Sequence, residues 1–140
     1  MSGDRPAVLR AAVAYFAIVF AAGFLLGTIR TVVLAPRLGP FAAVLVEIPV
    51  MLAIAYVACR WLVARFAVPA VLYDRLVMGA VAFVLLIGAE LLLALALGGS
   101  ASGFLEALAQ PAGVAGLAAQ AVFAALPVLD MGYRRPPGAG

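Results

Sequence analysis

The chain has 140 residues, of which 68% are hydrophobic and 11% charged, against roughly half apolar and about a quarter charged in a soluble domain. A water-soluble fold of this size has no means of hiding so much apolar surface. The nine Arg against six acids are scattered, whereas nucleic-acid binding needs basic residues clustered on polar surface. The chain contains no His, no Lys and one Cys, Cys59. These absences exclude imidazole-ligated haem or metal, a lysine Schiff base, an internal disulfide and a Cys-rich metal site within the chain. No metal, cofactor or catalytic residue is expected.

In chain order, Arg5 and Arg10 precede a first apolar run at 11–29, and the first helix is expected over about 11–34. A cleaved signal peptide is disfavoured, because the apolar stretch of about nineteen residues exceeds the usual 7–15 and Arg30 follows where a small residue is wanted. The connection Ala35-Pro36-Arg37-Leu38-Gly39-Pro40 is short enough to force an antiparallel hairpin. The second helix is expected over about 41–64. It carries Glu47 and, two residues later, Pro49, which frees a carbonyl one turn earlier and marks an expected hinge. Cys59 reads as a small packing residue near the end of this helix.

Arg60, Arg65 and Arg75 mark the next connection, with Arg60 and Arg65 expected to snorkel toward headgroups. The third helix, about 75–97, contains Glu90. A flexible, nearly uncharged Gly98-Gly99-Ser100-Ala101-Ser102-Gly103 follows. Residues 104–109 are expected to form a short helical turn before Pro111, which suits the first turn of a fourth helix over about 111–130. Glu106 and Asp130, at helix ends, are expected to be solvated. The tail at 134–140 is expected to be disordered and cytoplasmic.

The four runs, at 11–29, 41–59, 76–97 and 107–129, are each near the ~20 residues a membrane-crossing helix needs. They lack the polar alternation of barrel strands, so helices are the expected spanning form. The fold class is therefore all-α: a membrane-spanning four-helix bundle forming one domain over 1–140. Arginines concentrate before the first helix, between the second and third, and after the fourth. By the positive-inside rule both termini and the middle connection are expected to be cytoplasmic. Trp61, Tyr73 and Tyr133, with Tyr15 about one turn further in, are the expected interfacial aromatic anchors.

Arg30, Glu47 and Glu90 are the charges embedded in apolar sequence. Ionisable groups at membrane depth are costly and are where function or assembly should be sought. At ~1.5 Å rise per residue all three fall in the outer third of the bilayer, one on each of three helices. Gly23 and Gly27 share the Arg30 face in a G-x-x-x-G spacing that permits close helix approach. Gly79 lies three turns from Glu90 on one face. Gly113, Gly116 and Gln120 share a stripe of the fourth helix, with Gln120 a candidate interhelical polar contact. Two carboxylates and one guanidinium cannot all be charge-balanced, so one acid is a candidate for binding and releasing a proton.

The segments Gly27-Thr28-Ile29-Arg30, Pro36-Arg37-Leu38-Gly39, Glu47-Ile48-Pro49-Val50-Met51, Arg60-Trp61, Arg75-Leu76-Val77-Met78-Gly79 and Ala89-Glu90 resemble a family of small bacterial four-helix integral membrane proteins over roughly residues 11–130. The resemblance implies the architecture and a multi-pass inner-membrane setting, with no substrate or catalytic role. Small multidrug exporters are similar in length and span number but carry their essential carboxylate in the first helix, where this chain has Arg30 and no acid. Small fluoride channels share a Gly-rich first helix ending in arginine, but their Asn-containing second-helix pattern is missing, since this chain has no Asn. The leading expectation is a non-enzymatic structural or accessory bundle in the lipid bilayer. It would be held by the Arg-Glu-Glu cluster and would self-associate or join a larger membrane complex. The alternative is a small proton-coupled transporter or channel using Glu47 or Glu90.

Overall fold

A computed structural model of the chain describes residues 5–133, so the expected tail at 134–140 lies outside the described residues. Among those described, the elements are all helical: α1 (Arg5–Ile29), a π-helical segment (Arg30–Leu34), α2 (Ala35–Leu38), α3 (Pro40–Arg65), α4 (Leu72–Ala96), α5 (Ala101–Ala109) and α6 (Pro111–Tyr133). Four stretches are long and apolar enough to cross a membrane: Arg5–Leu38, Pro40–Arg65, Leu72–Ala96 and Pro111–Gly132. The first is longer than its apolar run because helix continues through both flanks, from Arg5 to Leu38. The expected connection at 35–40 shrinks to Gly39 alone. Its φ of 85° lies in a region that a side chain would strain, which is what lets the chain reverse in one residue. The turn expected at 104–109 is a fuller helix, α5, begun by the Ser100 hydroxyl accepting from the Gly103 N–H at 3.0 Å.

The π segment has a local cause. Pro36 has no N–H to offer the preceding turn and its ring crowds the carbonyl four residues back. The ladder widens instead, and the Ala35 N–H donates five residues back to the Arg30 carbonyl. Pro49 lies within α3, which runs uninterrupted from Pro40 to Arg65. Beyond Arg65 the chain closes a Schellman turn in which Val68 N–H donates to Val63 O at 3.0 Å and Ala67 takes φ 51°.

The long helices run alternately up and down, so the start of α1, the α3–α4 connection and the end of α6 share one end of the molecule, here the near end. The Gly39 turn and α5 lie at the far end. Around the molecule, α1 packs on α3 and α4, and α6 packs on the same two, leaving α1 opposite α6 and α3 opposite α4. The core, including Val8, Ala12, Val19, Cys59, Leu62, Met78 and Phe123, fills the middle and the near half. The α4–α6 contact depends on Gly79, where a Cβ would overlap the Ala124 backbone carbonyl.

One side chain crosses the diagonal. Tyr15, expected as an interfacial anchor, is wholly buried. Its ring stacks on Phe123 with centroids 4.3 Å apart, and its hydroxyl donates to the Phe123 carbonyl at 2.8 Å. That carbonyl is the one Pro127, four residues later, cannot serve as a helical donor. Tyr15 therefore satisfies an acceptor that a proline on another helix leaves bare, and it is drawn inward for that reason. Tyr15→Phe should cost about 1–2 kcal/mol through the orphaned carbonyl. The loss should shrink in a Pro127→Ala background, where the helix supplies its own N–H; thermal melts in detergent of the four proteins measure the coupling.

Candidate functional site

The far half of the molecule holds the three embedded charges, and it is hollow. Arg30 opens the π segment, with its Nη2 lying 3.6 Å from where a Cβ on Gly27 would stand. Its Nη1 donates to Glu47 Oε2 at 2.6 Å, a charge-assisted bond across the hairpin that Gly39 closes. The pair is partly screened from solvent, with the Arg30 side chain 33% exposed and that of Glu47 11%. Glu90 takes a different partner. Gln120 of α6 donates its Nε2 to Glu90 Oε1 of α4 at 2.5 Å, and the Gln120 carbonyl oxygen is buried with no hydrogen-bond partner. Among the described residues Arg30 makes its ion pair with Glu47 and none with Glu90.

All four side chains line one cavity of about 820 Å³ bounded by α1, the π segment, α3, α4, α6 and the end of α5. Its remaining wall is largely apolar, with Phe20, Phe24, Met51, Leu86, Leu117 and Phe123 among the lining residues. Toward the near end it stops at Val19, Ala55 and Phe123, just short of the Tyr15 crossing. At the far end Ala107, Leu108 and Gln110 of the α5 region form part of the wall. A chamber of this size lined by apolar surface and a few converging polar groups is the ordinary form of a small-molecule site.

The glycines expected to bring helices together divide into two groups. Gly79 does so, and Gly113 lets α5 fold back on α6, since a Cβ there would overlap the Ala107 carbonyl. Gly23, Gly27 and Gly116 line the cavity without such a backbone approach, and Gly113 borders it as well. A Cβ on Gly23 would meet only the Met51 methyl at 3.6 Å, and one on Gly116 would meet nothing within 4 Å. The G-x-x-x-G face thus widens the chamber where close helix approach was expected.

A second polar centre, at the near end, was missed. Arg75 is 1% exposed and Asp130 2%, although Asp130 was expected to be solvated and Arg75 to mark a loop. Arg75 Nη1 donates to Asp130 Oδ2 at 3.0 Å and to the Pro127 carbonyl at 2.9 Å. Its Nε donates to Pro69 O at 3.0 Å and its Nη2 to Val68 O at 3.3 Å. The guanidinium thereby ties the α3–α4 connection to α6, with Arg60 Nε a further 3.8 Å from Asp130 Oδ1. The available signal was opposite charge at one depth on consecutive antiparallel helices. Beside it, Asp74 is 7% exposed and its Oδ2 has no hydrogen-bond partner; it stands in the first turn of α4, where an acid opposes the positive end of the helix dipole.

Arg60 reaches Tyr56, donating to its hydroxyl at 3.2 Å, while Trp61 and Tyr73 are exposed. Cys59 is buried in the core. Among the described residues no three His, Cys, Asp or Glu side chains group as metal ligands would. Comparison with protein-family models, with curated proteins and with solved structures finds no match for this chain.

Proposed function

We propose that this protein is a multi-pass membrane protein with both termini cytoplasmic, a four-helix bundle whose far-half cavity binds a small solute, with Glu90 as a proton-binding carboxylate of a small transporter or channel. The membrane setting is supported by the outer surface, where Leu25, Val57, Val84 and Leu92 are each about two-thirds exposed on helices of spanning length. The bacterial inner membrane and the orientation are supported by the arginine distribution and the resemblance described above.

The single observation that carries the transport reading is a carboxylate that lines a large cavity and, among the described residues, makes no ion pair. Arg30 is hydrogen-bonded to Glu47, and the hydrogen bond to Glu90 comes from a neutral amide. The Gln120 amide suits either protonation state: its N–H₂ donates to the carboxylate as found, and after a half-turn its unused carbonyl oxygen accepts from a carboxylic acid. Glu90 can therefore gain or lose a proton and keep its hydrogen bond. The charged groups facing it are Arg30 from the π segment and Glu47 from α3.

The structural or accessory reading keeps one specific support, the Arg30–Glu47 pair, which joins the first two spans and can specify their register without adding net stability. One experiment separates the two. Proteoliposomes holding a pH-sensitive dye, given a pH gradient and valinomycin to balance charge, should show proton entry that Glu90→Gln abolishes while the variant stays monodisperse. Equal traces from wild type, variant and empty vesicles overturn transport and leave the scaffold.

A further inference from the structure

The formal charges on the cavity wall point to the class of solute. Arg30 and Glu47 neutralise each other at 2.6 Å, so with Glu90 ionised the wall carries one net negative charge. The rest is predominantly hydrocarbon and aromatic surface. An anion entering this chamber would meet Glu90 and find the guanidinium already engaged. A neutral solute would leave Glu90 uncompensated except by Gln120. A polycation would bring more charge than the wall can match, and each unmatched charge taken from water is costly.

We infer that the cavity is a binding site for an amphipathic organic monocation, an ammonium seated on Glu90 beside Gln120 with its apolar body against Phe20, Phe24, Leu117 and Phe123. This rests on the membrane-cavity reading above and names the solute it takes. The chamber of about 820 Å³ lies in the range of drug-sized sites, ~300–1,000 Å³. The aromatic and aliphatic lining offers the apolar body a surface to leave water against. Proton and monocation then compete for one carboxylate, so that binding either excludes the other.

The test holds the apolar body constant and changes the charge. Binding of 4-phenylbutylamine, 4-phenylbutanol and 4-phenylbutyrate to the full chain in dodecyl maltoside is measured by calorimetry, with protein-free micelles subtracted. The amine should bind at least about tenfold more tightly than the alcohol or the carboxylate, and should weaken as pH falls. Glu90→Gln should weaken the amine by about thirtyfold or more, the usual effect of removing one partner of a desolvated charge pair. Gly116→Phe serves as the second variant. It adds a ring where a Cβ meets nothing, so it should fold normally, keep Glu90 and still block the amine by filling the chamber. Added phosphatidylethanolamine, whose ammonium is offset by its own phosphate, should not displace the amine; displacement would replace the monocation by a zwitterionic headgroup and overturn the inference.

Equal binding of the three probes, no binding by wild type, or an amine affinity indifferent to both variants overturns the inference. Proton flux dependent on Glu90 without amine binding would leave the transport reading standing and remove the monocation. Amine binding without flux would do the reverse.

Discussion

Asp130→Ala should destabilise the protein by about 3–5 kcal/mol, the cost of breaking a buried ion pair and leaving one charge behind. Arg75 would remain 1% exposed with three backbone carbonyls and no carboxylate opposite it. Against a total stability of roughly 5–15 kcal/mol for a typical domain, that loss should appear as collapse of the monodisperse peak on gel filtration after mild heating. Arg75→Met with Asp130→Leu should recover much of it, because a well-packed apolar pair avoids the desolvation of both ions. The recovery should be incomplete, since the Pro69 and Val68 carbonyls beyond the end of α3 lose their donor. Equal stability of the single Asp130→Ala variant and wild type in the same melts would show that the pair is open to solvent.

The other large effect is expected at Gly79. Alanine is otherwise the better helix former by about 1 kcal/mol, so on propensity alone Gly79→Ala should stabilise α4. Packing reverses the sign. The added methyl would meet the Ala124 carbonyl and carbon of α6, which are backbone and cannot swing aside as a side-chain tip can. The two helices must separate, at the upper end of the 1–3 kcal/mol typical of overpacking or about 3 kcal/mol. Gly116→Ala provides the contrast within the same protein, since its Cβ enters open space, and its melting temperature should be unchanged or raised. If the two alanine variants melt alike, the α4–α6 approach is looser than described.

How far the sequence could reveal these features depends on whether a signal is local or requires knowing which helices are neighbours. Spans were legible because about twenty apolar residues in a row admit little else. Gly39-Pro40 and Pro111 marked helix boundaries through their own backbone chemistry. Arg30, Glu47 and Glu90 stood out by hydropathy, and depth along each helix brought them to one level. Depth carries no information about azimuth, so it could not decide that Arg30 meets Glu47 while Glu90 turns to Gln120. The same limit explains Gly23 and Gly27, where a small-residue spacing looks identical whether it admits a helix or borders a void. Arg75 and Asp130 look in sequence like ordinary helix-end charges, and only their opposite signs at one end of the molecule hint at a pair. Tyr15 was misplaced because the acceptor that draws it in belongs to another helix and is created by a proline 112 positions away.

The Tyr15 crossing makes the far-half chamber a dead end. Its floor begins at the Tyr15–Phe123 stack and hydrogen bond, and below it the near half is filled by core and tied by Arg75. A solute that leaves by the side it entered disturbs none of this. On the transport reading proposed above, net passage would require the phenol and the core beneath it to move aside, exposing the Phe123 carbonyl that Pro127 cannot serve and setting a penalty independent of how tightly Glu90 holds a solute. If the chamber carries a solute as proposed above, occupancy and turnover would depend on different residues, Glu90 for the first and the Tyr15–Pro127 partnership for the second.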